Sequence, residues 1–434
     1  MGGQPKNRTS GLINTLKSLN KMKLKTPLIL KPIFLILAIS TIGMLSCVEE
    51  YWPELVGNYE NFLVVDGKIT NEAGPYTVKL SNSSSLSDPK YNPLSGAFVT
   101  ISDNEGNSET LSEISPGTYQ TSETGIQGVI GRMYKLGVST GDKTYETAYE
   151  ELIAPVGIES INYKEETHKV SETEEIYESG YQFYISSEKA TNNETYFYWE
   201  VEETYEHHAS YPIEFMYSGS QEVLSDKYLY FYCWTTEIVH EIYTKSTKDL
   251  IEAKINELSL HFISAENEKT RLGYSVAAKQ YCISEKAYVF HKSLGDMNSN
   301  NEGLYSSQPY QIRGNLVNID NPQETALGYF LTAAVSASEH IFTPKKFFLP
   351  EELDEWSKAH CHIRSGGYPN LPSNYHYMIS STPDQWPLYF AEAWIMHVSK
   401  DRTWYTLELV GVEDICADCR VSGGTTQKPD FWVD

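Results

Sequence analysis

The segment DICADCRVSGGTTQKPDFWVD closes the chain, and in it Cys416 and Cys419 stand three residues apart. Thiols at that spacing chelate a metal as thiolates, cycle between dithiol and disulfide, or are locked in structural disulfides. A structural zinc site needs four ligands, and Cys361, Cys416 and Cys419 with His362 or His360 of the run AHCHI would supply them. A redox Cys-x-x-Cys pair needs a thioredoxin-like βαβ setting, which this tail lacks. The third reading is two disulfides among Cys233, Cys361, Cys416 and Cys419, which would pin the tail to the body of the chain. Four cysteines allow three connectivities, and spacing does not choose among them. Cys282 is then the odd thiol, expected inside a strand as a small buried hydrophobe.

Which chemistry the thiols perform depends on the compartment, and the other end of the chain bears on that. Residues 1–46 carry Lys6, Arg8, Lys17, Lys21, Lys23, Lys25 and Lys31 and no acid, and the apolar run PIFLILAISTIGMLSC ends at Cys47. A membrane-spanning helix needs about 20 apolar residues, so the run reads as a signal peptide over 1–46, with translation starting at Met22. The tetrapeptide MLSC resembles a bacterial lipobox, in which the Cys47 thiol takes a diacylglycerol and cleavage before the cysteine follows. Several acyl chains anchor stably where one is marginal. The alternative is an uncleaved anchor helix with an incidental cysteine. Residues 47–60 form the lipidated tether, and Glu49 and Glu50 resemble the surface-export signal of Bacteroidota lipoproteins. The expected location is therefore the outer membrane, lipid-anchored and facing the cell exterior. Passage through an oxidising periplasm permits disulfides.

The chain holds 58 acids against 34 lysines and arginines, a formal charge of −24. That excludes nucleic acid as a partner, because phosphate contacts need a basic face. It also disfavours lying flat on an anionic membrane.

HEIYT (His240–Thr244) holds half of a zincin motif, but Thr244 stands where the second histidine belongs. His207 and His208 are adjacent on a strand, so they point to opposite faces and are expected as exposed histidines. SSEK (Ser186–Lys189) fits Ser-x-x-Lys without its companion motifs. No Gly-x-Ser-x-Gly elbow or phosphate loop is present. DNEGN (Asp103–Asn107) could hold calcium, yet a hairpin turn accounts for it. No cofactor is expected, and no reaction is legible. The 32 tyrosines suit strands and core, with one cluster, Tyr228, Tyr230, Tyr232 and Trp234, expected to serve a binding surface.

The elements that must position these residues are mostly strands. From 61 to 154 short strands recur with turns every 8–12 residues, the signature of an immunoglobulin- or transthyretin-like β-sandwich. Pro155 and Gly157 open a larger β-rich domain, 155–434, with a few short helices and the cysteine-bearing tail. Its strands include 181–187, 195–208, 227–236, 258–264 and 271–284, with 325–342 a long strand candidate. The stretch 165–180 is expected as an exposed loop or long hairpin. Ser284 caps a helix, and Pro350–Cys361 reads as another with Pro350 at its first turn.

Several segments together carry a resemblance: LVVDGKIT and GPYTVKLSNS near the N-terminal end, YFYCWTT, SVAAKQYCISEKAYVF, GNLVNIDNP and ALGYF in order, and the tail CADCRVSGGTTQKPDFW. The chain resembles domain-of-unknown-function family 4249, uncharacterised lipoproteins of Bacteroidota. Cys282 stands where the family's pattern leads one to expect serine, which supports an unpaired thiol. The resemblance implies an outer-membrane lipoprotein encoded near a TonB-dependent receptor, and no established activity. The resulting expectation is a non-enzymatic surface accessory to such a transporter in nutrient capture or gating. The alternatives are a divergent surface hydrolase, or an adhesin or structural surface protein.

Overall fold

The computed structural model describes residues 62–84, 90–141, 143–169, 175–217, 221–299, 312–324, 326–345, 361, 388–398 and 402–433. The signal segment, Met22, Cys47, Glu49 and Glu50, the Pro350–His360 part of the expected helix, and the candidate ligands His360 and His362 lie outside these residues.

The first ten strands, of which β1, β2, β4, β8 and β9 alternate buried and exposed residues, are β1 (Leu63–Ile69), β2 (Thr77–Asn82), β3 (Asn92–Pro93), β4 (Phe98–Asp103), β5 (Ser108–Thr110), β6 (Ser112–Ser115), β7 (Thr118–Gln120), β8 (Met133–Thr140), β9 (Lys143–Thr147) and β10 (Glu150–Glu151). The chain continues through β11 (Ile158–Lys169), β12 (Tyr177–Ser187), β13 (Tyr196–His208), β14 (Phe215–Tyr217), β15 (Gln221–Val223), β16 (Tyr232–Ile238), β17 (Tyr243–Ser246), β18 (Leu258–Ser264) and β19 (Gly273–Ile283). Helix α1 (Glu285–Ser299) precedes β20 (Leu316–Asn318), β21 (Leu327–Thr332), β22 (Ala334–Ala337), β23 (Ile341–Phe342), β24 (Leu388–Val398), β25 (Thr403–Val412) and the short helix α2 (Asp414–Ala417). The fold is all-β in character. Among the described residues no helix is long and apolar enough to cross a membrane.

Two sheets form the N-terminal sandwich, ordered β21-β1-β2-β7-β6 and β20-β9-β8-β4-β5. Every second residue of the facing strands enters one core: Val65 and Ile69 of β1, Val78 and Leu80 of β2, Val99 and Ile101 of β4, Leu136 and Val138 of β8. Two of the strands come from far along the chain. β20 pairs antiparallel with β9, and β21 pairs parallel with β1 from Val64↔Leu327 to Ile69↔Thr332, adding Leu316 and Phe330 to the core. The segment read as one long strand over 325–342 is divided at Ala333. β21 ends in the sandwich, and β22 pairs with β19 in another sheet.

The second core lies between the sheet β11-β12-β18 and the sheet β16-β13-β19-β22. Phe183, Ile185, Phe197, Trp199, Val201, Val276 and Cys282 fill it. The indole of Trp199 is fully buried and donates to Gln280 Oε1 at 3.0 Å. Cys282 is a buried free thiol, as the sequence suggested, and its sulfur accepts from the Val156 amide at 3.2 Å. The acidic 165–180 stretch is the hairpin β11–β12, paired out to Lys169↔Tyr177. α1 starts where its cap predicts, with the Ala287 amide donating to Ser284 Oγ at 3.2 Å. The helix buries Ala287 and Phe290 with Tyr281 and Tyr329. A fifth sheet, β15-β14-β24-β25, adjoins α2.

Candidate functional site

The tyrosine cluster is the first place to look, and the sequence misjudged its backbone. Only Tyr232 and Trp234 of the four candidates lie on a strand. The Asp226 carboxylate accepts from the Tyr228 amide at 2.9 Å, and this short-range bond turns the chain through residues 228–231 instead of extending it. The turn separates the four side chains by role. Tyr228 is 44% and Tyr232 43% exposed. Their rings lie near parallel at 6.2 Å, and Phe231 stands edge-on to both, at 5.5 and 4.8 Å. His208 stacks on Phe231 at 4.8 Å. Tyr230 turns inward, its ring 3.8 Å below the Arg420 guanidinium, which is held by two bonds to Asp418. Trp234 is half-buried and pairs through its backbone with Thr425. Two of the four therefore form an exposed ridge, and two hold it in place.

The cysteines fix the same region. Cys233, just after the ridge, is bonded to Cys419, and Cys361 to Cys416. The Cys419 amide also donates to the Tyr230 carbonyl at 3.0 Å. The three thiols of the zinc alternative are thereby tied up as disulfides. Among the described residues no group of three or more histidine, cysteine or carboxylate side chains is placed to hold a metal.

His207 and His208 point to opposite faces, yet they are half-buried, which corrects the expectation of exposed histidines. The tail folds back over His207, where a Cβ on Gly424 would meet Nε2 at 2.5 Å, while Phe231 stacks on His208. Burial lowers the pKa of both imidazoles. In HEIYT, His240 is an exposed loop residue, Thr244 lies on β17, and the Glu241 carboxylate accepts from the Tyr243 hydroxyl. The DNEGN turn satisfies Asp103 internally. Its carboxylate accepts from the Glu105 and Asn107 amides at 3.0 and 2.8 Å and pairs with Arg132 at 2.8 Å. Burial raises the pKa of this acid, but the bonds from Asn107 and Glu105 and the Arg132 charge more than offset it and hold it below the usual range.

A second feature was invisible in the sequence. The outer face of β1 and β2 looks across a cleft of about 680 Å³ at the outer face of β13 and β19. Lys68 of β1 reaches both oxygens of Glu200 on β13 at 2.6 Å, and the Tyr281 hydroxyl donates to Glu200 at 2.7 Å. Lys279 of β19 reaches back to Glu72 at 3.0 Å. These two bridges span the walls. His291 of α1 lines the cleft and stacks on Tyr198 at 4.4 Å. Burial lowers the pKa of its imidazole to about 4, so the ring is neutral at physiological pH. Of the charged groups lining the cleft, Lys68, Glu200, Lys279 and Glu72 are engaged with one another.

A family model described as a domain of unknown function, DUF4249, matches residues 48–339. The match includes the ridge and every residue lining the cleft except His340, and it stops before Cys361, Cys416 and Cys419. No curated protein matches the chain.

Proposed function

Since the chain belongs to the DUF4249 family, whose description assigns no activity, we propose a role from its own geometry. The protein is a non-enzymatic, lipid-tethered surface lipoprotein of the outer membrane that contacts a TonB-dependent transporter and assists nutrient capture or gating. The observation that carries this reading is the ridge. Tyr228 on the turn and Tyr232 at the start of β16 expose stacked rings, and a disulfide and the Arg420–Asp418 pair hold this segment from behind. Tyrosines presented rigidly supply contact area with little side-chain entropy left to lose, and they dominate the energetics of protein interfaces. The Cys47 lipobox and the acidic body support a soluble domain held at a membrane by acyl chains.

The test uses the full-length tagged protein, gently crosslinked in intact outer membranes and recovered in mild detergent. A TonB-dependent receptor should come down in near-stoichiometric amount. The double substitution Tyr228→Ala, Tyr232→Ala should cut that recovery at least about tenfold, a loss near 1.4 kcal/mol, while its thermal midpoint stays put. Recovery of the protein alone, with a surface hydrolysis missing from a deletion strain, overturns the reading in favour of the hydrolase.

A further inference from the structure

Arg420 shows how this region holds a cation. Its guanidinium lies 3.8 Å over the Tyr230 ring and makes a two-point bond to the Asp418 carboxylate, at 2.9 and 2.6 Å. A flat, weakly hydrated guanidinium suits such a seat, because it stacks on a ring face and forks onto a carboxylate at once. A second carboxylate in aromatic company lies beside the exposed ridge, and it has no cation. On the outer face of the β16-β13-β19 sheet, Glu206 of β13 stands opposite Trp234 on one side and Gly273 on the other. Bare Gly273 makes room for Trp432 of the tail: the point where a Cβ would stand is 2.7 Å from the Trp432 ring and 3.5 Å from Glu206 Oε2. His208 shares this face of the strand, and Tyr232, its cross-strand partner, is the diagonal neighbour of Glu206, within reach of a long side chain. Burial, Tyr228 and Glu206 push the Tyr232 phenol up. Burial holds the His208 imidazole below its ordinary value against the pull of the Ala209 carbonyl and Glu206, so it supplies no positive charge at neutral pH.

Among the described residues no hydrogen bond or ion pair reaches the Glu206 carboxylate. Two other acids of β13 are satisfied, Glu200 by Lys68 and Tyr281 and Glu203 by Lys269 and Tyr274. Glu202 shares the outer face, but its neighbours are Ile238 and Ala277, which offer no ring. Glu206 is only half-buried and lines, with His208, a hollow of about 680 Å³, so its carboxylate can be reached. Lys269 and Arg271 line the same hollow; Lys269 is held by Glu203 and Glu237, and Arg271 has a partner of its own. A carboxylate partly withdrawn from water without a counter-charge is costly, and a docking partner that brings the charge removes that cost.

We infer that Glu206, walled by Trp234 and Trp432, receives an arginine side chain of the protein that docks on the ridge, with the guanidinium stacked on Tyr232. The inference rests on the reading of the ridge as a docking surface and adds the chemistry of the partner. The formal charge of −24 on the chain favours a basic partner surface in the same sense.

Two measurements on the full-length protein in mild detergent test this. In the first, the crosslinked receptor is recovered with the parent, with Glu206→Gln and with Glu202→Gln. Glu206→Gln should cut recovery at least about tenfold and leave the thermal midpoint unchanged or raised, since it removes an unpaired charge and no bond. Glu202→Gln, on the same face of the same strand, should change neither. In the second, ligand-observed NMR follows N-acetyl-arginine amide, its lysine counterpart and its uncharged citrulline counterpart. The arginine amide should bind at least about tenfold more tightly than the citrulline amide, and Glu206→Gln should abolish the preference. Undiminished receptor recovery with Glu206→Gln overturns the inference and leaves the ridge reading standing. Absence of any receptor from the parent overturns the ridge reading instead, and the probes still decide the site: arginine and citrulline amides that bind alike sink it. Lysine amide binding as tightly as arginine amide rejects the guanidinium assignment.

Discussion

Asp103 shows how one residue can be half legible. The turn DNEG was readable because Asp and Gly at those positions offer local hydrogen bonds and a positive φ, and Gly106 does sit at φ 95°. What the turn's sequence omits is Arg132, which is 29 residues away and completes the site at 2.8 Å. The folded pKa of Asp103 lies below its ordinary value. Its ionised form therefore adds stability that is full above the unfolded pKa and is lost as pH falls through the folded one. Asp103→Asn should cost about 1–3 kcal/mol at pH 7. The difference from the parent should shrink as pH drops below about 4. Urea unfolding of both proteins at pH 7 and pH 3 checks this; an unchanged gap would mean that the carboxylate's charge does not matter. The histidines make the converse point. Adjacent positions on a strand told which way His207 and His208 face, but not that a tail two hundred residues later would cover His207.

At the level of elements, alternation revealed the antiparallel strands of the sandwich and β12, β13, β18 and β19, because such strands bury one face and wet the other, while β14, β15, β17, β24 and β25 were not read as strands. β21 was read as strand within 325–342, but where it ends and what it pairs with were not legible, because that alternation is missing there. Tyr329, Phe330, Leu331 and Thr332 are all buried, since one face meets the sandwich core and the other meets α1. A run buried on both sides has no period to read, and its parallel partner β1 lies some 260 residues upstream, beyond any local signal. The pairing leaves a mark in Gly328. This glycine sits at φ 79°, and a Cβ there would meet the Val65 carbonyl oxygen of β1 at 1.8 Å. Gly328→Ala combines left-handed strain of about 1–3 kcal/mol with overpacking, so it should lower the urea midpoint by the equivalent of about 3 kcal/mol or more. Gly141→Ala is the control, because it shares the positive φ but would meet nothing within 4 Å; it should cost clearly less. The same short-range logic explains the failed strand at 228–231, where aromatic composition promised extension and Asp226 imposed a turn.

For the molecule as a whole, the cysteines were recognisable as disulfide candidates and the free one as Cys282, but pairing is a property of the fold. The two bonds close loops of 186 and 55 residues. Replacing Cys233 and Cys419 together by serine should cost about 2–5 kcal/mol and speed proteolysis within residues 420–433, read by denaturant titration and by timed digestion with mass spectrometry. Equal digestion rates would show that the Trp234–Thr425 bridge holds the tail by itself. The inter-sheet cleft was unreadable for a related reason. Lys68 and Glu200, or Glu72 and Lys279, meet only once two sheets have formed and docked, and no spacing in the chain encodes that.

The parallel pairing of β1 with β21 has a mechanical meaning. Their six paired positions run in the same direction. A pull from the N-terminal side grips β1 at its Leu63 end, while a load borne by the second sheet reaches β21 at its Thr332 end through β22. Tension between those ends is shear, so the rungs of the ladder must give way together and cannot peel apart in turn. Under the tether proposed above, the protein would hold its shape while a partner tugs on it, and its lifetime under force would be set by the rate of that single rupture.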